Sequence, residues 1–359
     1  MHAFFATVPF TILEAVSYVI QNDIEDADLY LSCVFKDARE TGERIRESGV
    51  FKNVFIVENV LLTYPITIKK CFEVMRNRRK IISDMSGRVY DYAYYNNSGF
   101  LVNSIFYTGV CRANKSAKHF FLEHAHYSYL NRYSDKPWYL KPMIRLFGLK
   151  CMDGSQLDKV YLYEPDLSTV KQDAPVEQLK KIDISNVRLN EKLNFIFNYS
   201  PDHDEFKEKK IIIMEQGKLK VDFDKEAFWA EVFKCINKDI SIVKPHPRQK
   251  DSTLKHLGAE ICKNTTLPWE IICLNNNLSD KVQITIFSQA CISPKLIFDQ
   301  EPTVIFLYKL LPVGYDYLGQ GLLEFADSIG NLYKDKTKYF IPESFDELRE
   351  YCIKHNIGQ

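Results

Sequence analysis

The chain has 359 residues, 46% hydrophobic and 26% charged, with a formal net charge of zero. That size suits two domains of ordinary length, and that balance excludes a disordered or fibrous chain. A neutral chain carries no overall field toward nucleic acid or a membrane surface. The aromatic share of 13% fits sugar- or base-stacking surfaces, and fits a large core equally well. The nine cysteines are scattered, odd in number and never in a C-x-x-C pair. They read as reduced thiols of a cytosolic protein, not as a disulfide framework or a zinc site. Met1–Phe10 has no n-region charge and reads on into a strand and a helix, so no signal peptide is expected. No apolar run reaches the ~18 residues of a membrane-spanning helix.

In chain order, His2–Val8 is apolar and β-prone, Pro9 breaks it, and Thr11–Gln21 has helical spacing. Leu29–Phe35 reads as a strand, Ala38–Ser48 as a charged helix, Asn53–Val57 as a strand and Ile66–Lys80 as a helix with a basic end. Tyr90–Tyr95, Ser104–Tyr107 and His119–Leu122 read as short strands, the last running into Glu123-His124-Ala125-His126. Tyr127–Lys150 is aromatic and basic. Glu164–Ile184 is polar, carries Pro165 and Pro175, and reads as the connection between domains. A second alternating unit follows: strand Lys210–Met214, helix Phe223–Asn237, then strands Ile240–Val243, Glu270–Leu274, Gln283–Phe287 and Val304–Leu307. Ser288 opens a short segment, and Phe345–His355 is a last amphipathic helix. The alternation predicts α/β architecture with doubly wound parallel sheets. The expected layout is two Rossmann-like domains, residues 1–165 and 191–340, with a linker at 166–190 and a terminal helix at 341–359. A cleft between two such domains is a usual place for a ligand.

The most informative stretch is Ile242-Val243-Lys244-Pro245-His246-Pro247-Arg248. Proline fixes φ and biases the preceding residue away from helix, so this turn ends a strand and holds the imidazole at its carboxyl edge. Open α/β sheets bind ligands at that edge. Lys244 and Arg248 bring two cations, and the set suits a phosphate; a structural or merely exposed histidine is the competing reading. No G-x-G-x-x-G, G-x-x-x-x-G-K-[ST], H-E-x-x-H or G-x-S-x-G is present, and Gly319-Gln320-Gly321 is too short to count.

Four pieces, in order, resemble the lipooligosaccharide and capsule sialyltransferases of glycosyltransferase family 52. They are Phe4–Phe10; Leu122-Glu123-His124-Ala125-His126-Tyr127-Ser128-Tyr129; Lys244–Arg248; and Leu267-Pro268-Trp269-Glu270 followed by Thr285-Ile286-Phe287-Ser288. The piece around Glu123 resembles the family's Glu-Asp-Gly motif with its trailing Ser-Tyr, but has His124 and Ala125 in place of Asp and Gly. The piece around His246 is similar to the family's histidine-proline motif, and the last piece to its Pro-x-Glu segment and serine motif.

The resemblance implies the GT-B arrangement and transfer of sialic acid from its cytidine-monophosphate (CMP) donor to a glycan hydroxyl, with inversion. Negative charge grows on the leaving phosphate, and a donor aimed at it supplies the largest catalytic effect. His246 fits that part, with Lys244, Pro245, Pro247 and Arg248 around the phosphate. Ser288 at a helix start fits phosphate oxygens, though it equally serves as a plain cap. Glu270 fits the ribose or the cytosine edge. The base on the acceptor is expected at Glu123 with His124, with Asp224 as rival. Asp222-x-Asp224 has the form of a metal motif, but Asp26-x-Asp28 and Asp202-x-Asp204 repeat it by chance, so no metal and no cofactor beyond the donor are expected. The implied partners are a nucleotide sugar and an oligosaccharide acceptor, with no nucleic acid. A lipid carrier, peripheral contact with the inner face of the membrane through Arg76, Arg78, Arg79 and Lys80, and a homodimer stay open. So do another nucleotide-sugar donor on the same fold and a non-catalytic role in glycan assembly.

Overall fold

The structure is a computed structural model that describes residues 1–58, 67–96, 100–133, 140–217, 221–246, 249, 252–315 and 318–358. It divides into two compact units, Met1–Asn198 and Tyr199–Gln359.

Among the described residues of the first unit, seven strands pair in parallel throughout: β1 (His2–Ala6), β2 (Ala27–Ser32), β3 (Asn53–Val57), β4 (Tyr92–Tyr95), β5 (Lys118–Leu122), β6 (Lys159–Leu162) and β7 (Val176–Gln178). Their order is β3-β2-β1-β4-β5-β6-β7. Apolar Phe4, Phe5, Leu29, Tyr30 and Leu31 are buried, as expected of parallel strands covered on both faces. The helices are α1 (Pro9–Gln21), α2 (Ala38–Ser48), α3 (Ile68–Met85), α4 (Phe100–Ala113), the single turn α5 (Tyr127–Leu130), α6 (Leu140–Leu146) and α7 (Val187–Phe197). Pro9 stands in the first turn of α1, where its missing N–H costs nothing. Gly49, at φ +66, ends α2 in the left-handed conformation.

Two expectations change here. Ser104–Tyr107 is not a strand but the middle of α4. Parallel neighbours β4 and β5 need a crossover of a dozen or more residues, and α4 is that crossover. Its Val102, Ile105, Phe106 and Val110 are buried alongside Ser104 and Thr108, so the helix is enclosed nearly all round and shows no clean amphipathic period. Nor is 166–190 a linker: β7 lies inside it, and α7, which begins there, packs on α1 and α2. Edge strand β7 is polar, the usual way an exposed edge is blunted, and that polarity disguised it.

Among its described residues the second unit has five parallel strands: β8 (Ile211–Met214), β9 (Ser241–Lys244), β10 (Val282–Thr285), β11 (Thr303–Phe306) and β12 (Tyr339–Phe340), in the order β12-β11-β10-β8-β9. Its helices are α8 (Lys225–Cys235), α9 (Trp269–Asn275), α10 (Ser293–Phe298), α11 (Gln320–Leu332) and α12 (Phe345–Lys354). Glu270–Leu274, expected as a strand, lies in α9, whose four consecutive buried residues Ile271–Leu274 mimic a core strand. The last helix belongs to this unit: the Phe345 ring stands 5.9 Å from that of Phe228 on α8. Strand order reverses between β1 and β4 in one unit and between β8 and β10 in the other. Crevices outside the carboxyl ends at such points are where these sheets bind ligands.

Phe106 is fully buried, its ring 5.1 Å from Phe5, 5.6 Å from Tyr30 and 5.4 Å from Tyr95. Phe106→Ala should therefore cost ~3–5 kcal/mol in urea unfolding; a loss below ~1 kcal/mol would mean that this face of α4 is not packed on the sheet.

Candidate functional site

The apolar run of β8 passes directly into Glu215-Gln216-Gly217. Glu215 is buried, and its Oε1 accepts from the Thr253 N–H at 3.1 Å and hydroxyl at 2.9 Å, with Gln249 Nε2 at 3.5 Å. Its Oε2 is buried with no partner among the described residues. Gln249 accepts in turn from the His246 N–H at 3.3 Å and donates its own N–H to the His246 carbonyl at 2.8 Å. A buried carboxylate thus steadies the turn that carries the imidazole. The ring lies along Gly217: a Cβ there would stand 3.4 Å from its Cγ and Nδ1. Across the reversal point, Gln216 Oε1 accepts from the Phe287 N–H at 3.1 Å, and the Thr285 hydroxyl donates to the Met214 carbonyl at 3.0 Å. The ends of β8, β9 and β10 are therefore stitched into one polar edge around a half-buried His246.

The other expected donor residues fall out differently. Pro245 follows β9 directly, while Pro247 and Arg248 lie outside the described residues. Lys244 is not a cation offered to a phosphate. It is 5% exposed, donates from Nζ to the Leu267 carbonyl at 3.0 Å, and stands 5.8 Å from the centre of the Phe206 ring. Burial pushes its ammonium below the usual range. Glu270 opens α9 half-buried, with Ser293 Oγ at 3.5 Å; burial raises its carboxyl, and the Lys244 charge works against that rise. Ser288 caps one 3-10 turn, Gln289–Cys291, accepting from the Ala290 N–H at 3.3 Å, so its oxygen is committed locally. Asp224 is the exposed cap of α8, accepting from the Ala227 N–H at 2.9 Å, which gives it a structural reason to be there.

In the first unit β5 delivers Glu123 and His124. Glu123 is 1% exposed, and its Oε2 accepts from the Tyr129 hydroxyl and from the Tyr163 N–H at 2.9 Å. It ties the ends of β5 and β6 to the α5 turn. Burial raises its carboxyl to about 7, against the pull of those two hydrogen bonds. His124 donates its N–H to Ser128 Oγ at 2.7 Å, and its ring meets Phe10 edge-on at 6.5 Å. Burial, helped by His126, lowers the imidazole to about 4, and its buried Nδ1 has no partner among the described residues. Ala125 stands at φ +61, a left-handed conformation that costs an alanine and suits a glycine. Of the aromatic stretch after it, Tyr129 and Tyr133 are core residues, Tyr127 is exposed, and Trp138 and Tyr139 lie outside the described residues.

The other D-x-D copies are structural. Asp28 is buried and accepts from Asn53, Arg88 and Tyr90, while Asp204 accepts from Tyr199 and Asn276. Among the described residues, no group of three or more His, Cys, Asp or Glu is placed to hold a metal ion, and no helix is long and apolar enough to cross a membrane. The eight cysteines whose side chains are described are free thiols.

No protein-family model matches the chain, and no curated protein matches it. Solved structures do. A glycotransferase of kitacinnamycin superposes with a TM-score of 0.50 at 10% identity, covering 99% of this chain and 90% of its own. An Arabidopsis thaliana protein complexed with UDP gives 0.50 at 10% identity, over 97% of this chain and 88% of its own. The UDP-GlcNAc 2-epimerase from Neisseria meningitidis bound to UDP-GlcNAc gives 0.50 at 8% identity, over 99% and 94%. The fold is of the GT-B type. Glu215, Gln216, Gly217, Gln249 and Thr253 are the residues at the edge around His246 that the sequence pattern did not single out. The strand-end logic that points to His246, applied to Lys210–Met214, leads directly to Glu215.

A carboxyl raised on folding stabilises the fold below its ordinary 4.5, and that stability is lost as pH rises through about 7. The unfolding free energy of the wild type, minus that of Glu123→Gln, should therefore fall by ~3 kcal/mol between those two pH values and stay flat above them. Urea unfolding across the range checks this, and a pH-independent difference would show that Glu123 is not a protonated core carboxyl.

Proposed function

We propose that the chain is a glycosyltransferase that holds a nucleotide-sugar donor at the carboxyl edge of β8, β9 and β10. The observation that carries the reading is His246, seated against Gly217 beside the reversal point and held through Gln249 by the buried Glu215. An imidazole N–H fixed in advance at that edge gives the leaving phosphate a donor that needs no reorganisation as charge grows. The UDP and UDP-GlcNAc bound by structural neighbours support a nucleotide sugar as ligand.

The finer reading is that the donor is CMP-sialic acid and the acceptor a hydroxyl of a capsule or lipooligosaccharide glycan, transferred with inversion and without a metal. It rests on the family 52 resemblance, and the φ of Ala125 adds to it: the turn has the backbone of a Glu-x-Gly motif although alanine occupies it. On this reading His124 takes the acceptor proton. Its low pKa keeps the ring neutral near pH 7, and Nδ1 is unpartnered. Glu123 positions it by fixing the end of β5. Glu270 recognises the ribose or the base. The acceptor is lipid-linked or free, and the enzyme works in the cytoplasm, as a monomer or a dimer. A second reading, a UDP-sugar donor, draws on the neighbours' bound UDP and on the loss of the Asp from the Glu-Asp-Gly pattern.

Calorimetric titration with CMP and with UDP, without added metal, separates the readings. CMP binding that weakens ~10–100-fold in His246→Ala supports the first, the loss being that of one hydrogen bond to a charged group. UDP binding with the same dependence supports the second. Binding of neither overturns donor recognition at this edge. Gly217→Val should weaken the same nucleotide to a similar degree while leaving the melting temperature near that of the wild type, because the atoms nearest a Cβ there all belong to the His246 ring.

A further inference from the structure

Helices α3 and α4 lead into β4 and β5, so their last turns lie at the edge where those strands begin, opposite the edge that carries Glu123 and His124. There they enclose a cavity of about 480 Å³, lined by Arg78, Arg79 and Arg112 with Ser83, Ser86 and Gly109 among others. Gly109 lets the helices close on each other, since a Cβ there would collide with Met85 Sδ.

Three arginines share this space, and among the described residues that line it none is acidic. None of the three guanidinium groups has a hydrogen bond or an ion pair among the described residues, and Arg78 Nε is buried with no partner. Burial and the charges of Arg79 and Arg112 hold the Arg78 guanidinium below its usual range. Helix dipoles do not explain the cluster. Arg112, in the last turn of α4, gains from its position, but Arg78 and Arg79 lie inside α3 and gain nothing. Like charges gathered without a counter-ion cost stability, and an oxyanion would recover it through charge-assisted, bidentate hydrogen bonds. The hydroxyls of Ser83 and Ser86 add donors at the same wall.

We propose that this cavity is a binding site for a phosphate or diphosphate group, separate from the edge assigned to the nucleotide sugar. The group belongs to a soluble phosphate compound or to a lipid headgroup. A built Cβ on Gly148 stands 3.7 Å from Arg78 Nη1, which brings the turn after Leu146, 87% exposed, up to Arg78.

The test is calorimetric titration of the full chain with inorganic pyrophosphate in a His246→Ala background, which removes the proposed donor-phosphate contact. The expected result is one binding event, weakened at least ~10-fold by Arg78→Gln and by Arg112→Gln, each without a drop in melting temperature because neither arginine has a partner among the described residues. No binding in that background, or binding unchanged by both substitutions, overturns the proposal. Arg112 is exposed, so its variant decides the matter if Arg78→Gln fails to fold. Flotation with phosphatidylcholine vesicles containing phosphatidylglycerol then identifies the source. Arginine-dependent flotation, absent with phosphatidylcholine alone, assigns a lipid headgroup; pyrophosphate binding without flotation assigns a soluble phosphate. Because the background already lacks His246, failure here leaves the donor-site reading standing, and failure of that reading leaves this one testable.

Discussion

Parallel pairing is the constraint from which both units follow. A parallel strand cannot return by a tight turn, so every strand must be followed by a crossover, and every strand ends on the same edge. That geometry gathers residues distant in sequence at one line: Glu215 from β8, His246 from β9, and Phe287 and Ser288 from β10. It also decides secondary structure where local pattern does not. Ser104–Tyr107 and Glu270–Leu274 are apolar enough for strands, yet each lies between consecutive parallel strands and has to form the helix that joins them.

Burial then decides what each charged residue can do. Lys244 has the sequence position of a phosphate ligand, but its ammonium is inside, held by a carbonyl and facing an aromatic ring. A group whose charge is already opposed by desolvation and satisfied by a protein acceptor has little left for a ligand. Glu123 makes the same point with the opposite sign: its carboxyl binds Tyr129 and the Tyr163 N–H, and so shapes the strand end instead of meeting solvent. Glu215 differs from both. One oxygen holds the His246 turn through Gln249, while the other is buried without a partner among the described residues, so an unused acceptor remains at this carboxylate.

Legibility in the sequence follows the same physics. Elements with a local signature are readable: Ala38–Ser48 and Asn53–Val57 stand where periodicity places them, and the Pro-His-Pro turn puts His246 at a strand end on local chemistry alone. Elements defined by tertiary context are not. Polar β7 is a strand only because β6 is beside it, and α7 belongs to the first unit only because α1 and α2 cover it. Candidate residues divide likewise. Proline geometry locates the histidine. No local pattern could show that Lys244 turns inward, that Ser288 and Asp224 serve as caps, or that Glu215 lies beneath the turn, since each depends on the partner it finds in the folded chain.

The formal net charge of zero conceals an uneven distribution. At the carboxyl edge of the first sheet the ionisable side chains are driven toward neutrality, Glu123 by a raised pKa and His124 by a lowered one, which leaves a polar edge with little field of its own. At the opposite edge three guanidinium groups keep their charge, because arginine does not deprotonate in proteins, and no acid stands among the described residues that line their cavity. A carboxylate placed there would relieve the repulsion at small structural cost, since the cavity already has room for it. Folding alone gives no reason to leave that charge uncompensated, whereas binding a multiply charged oxyanion does, and the serines on the same wall match the acceptors such a group would bring.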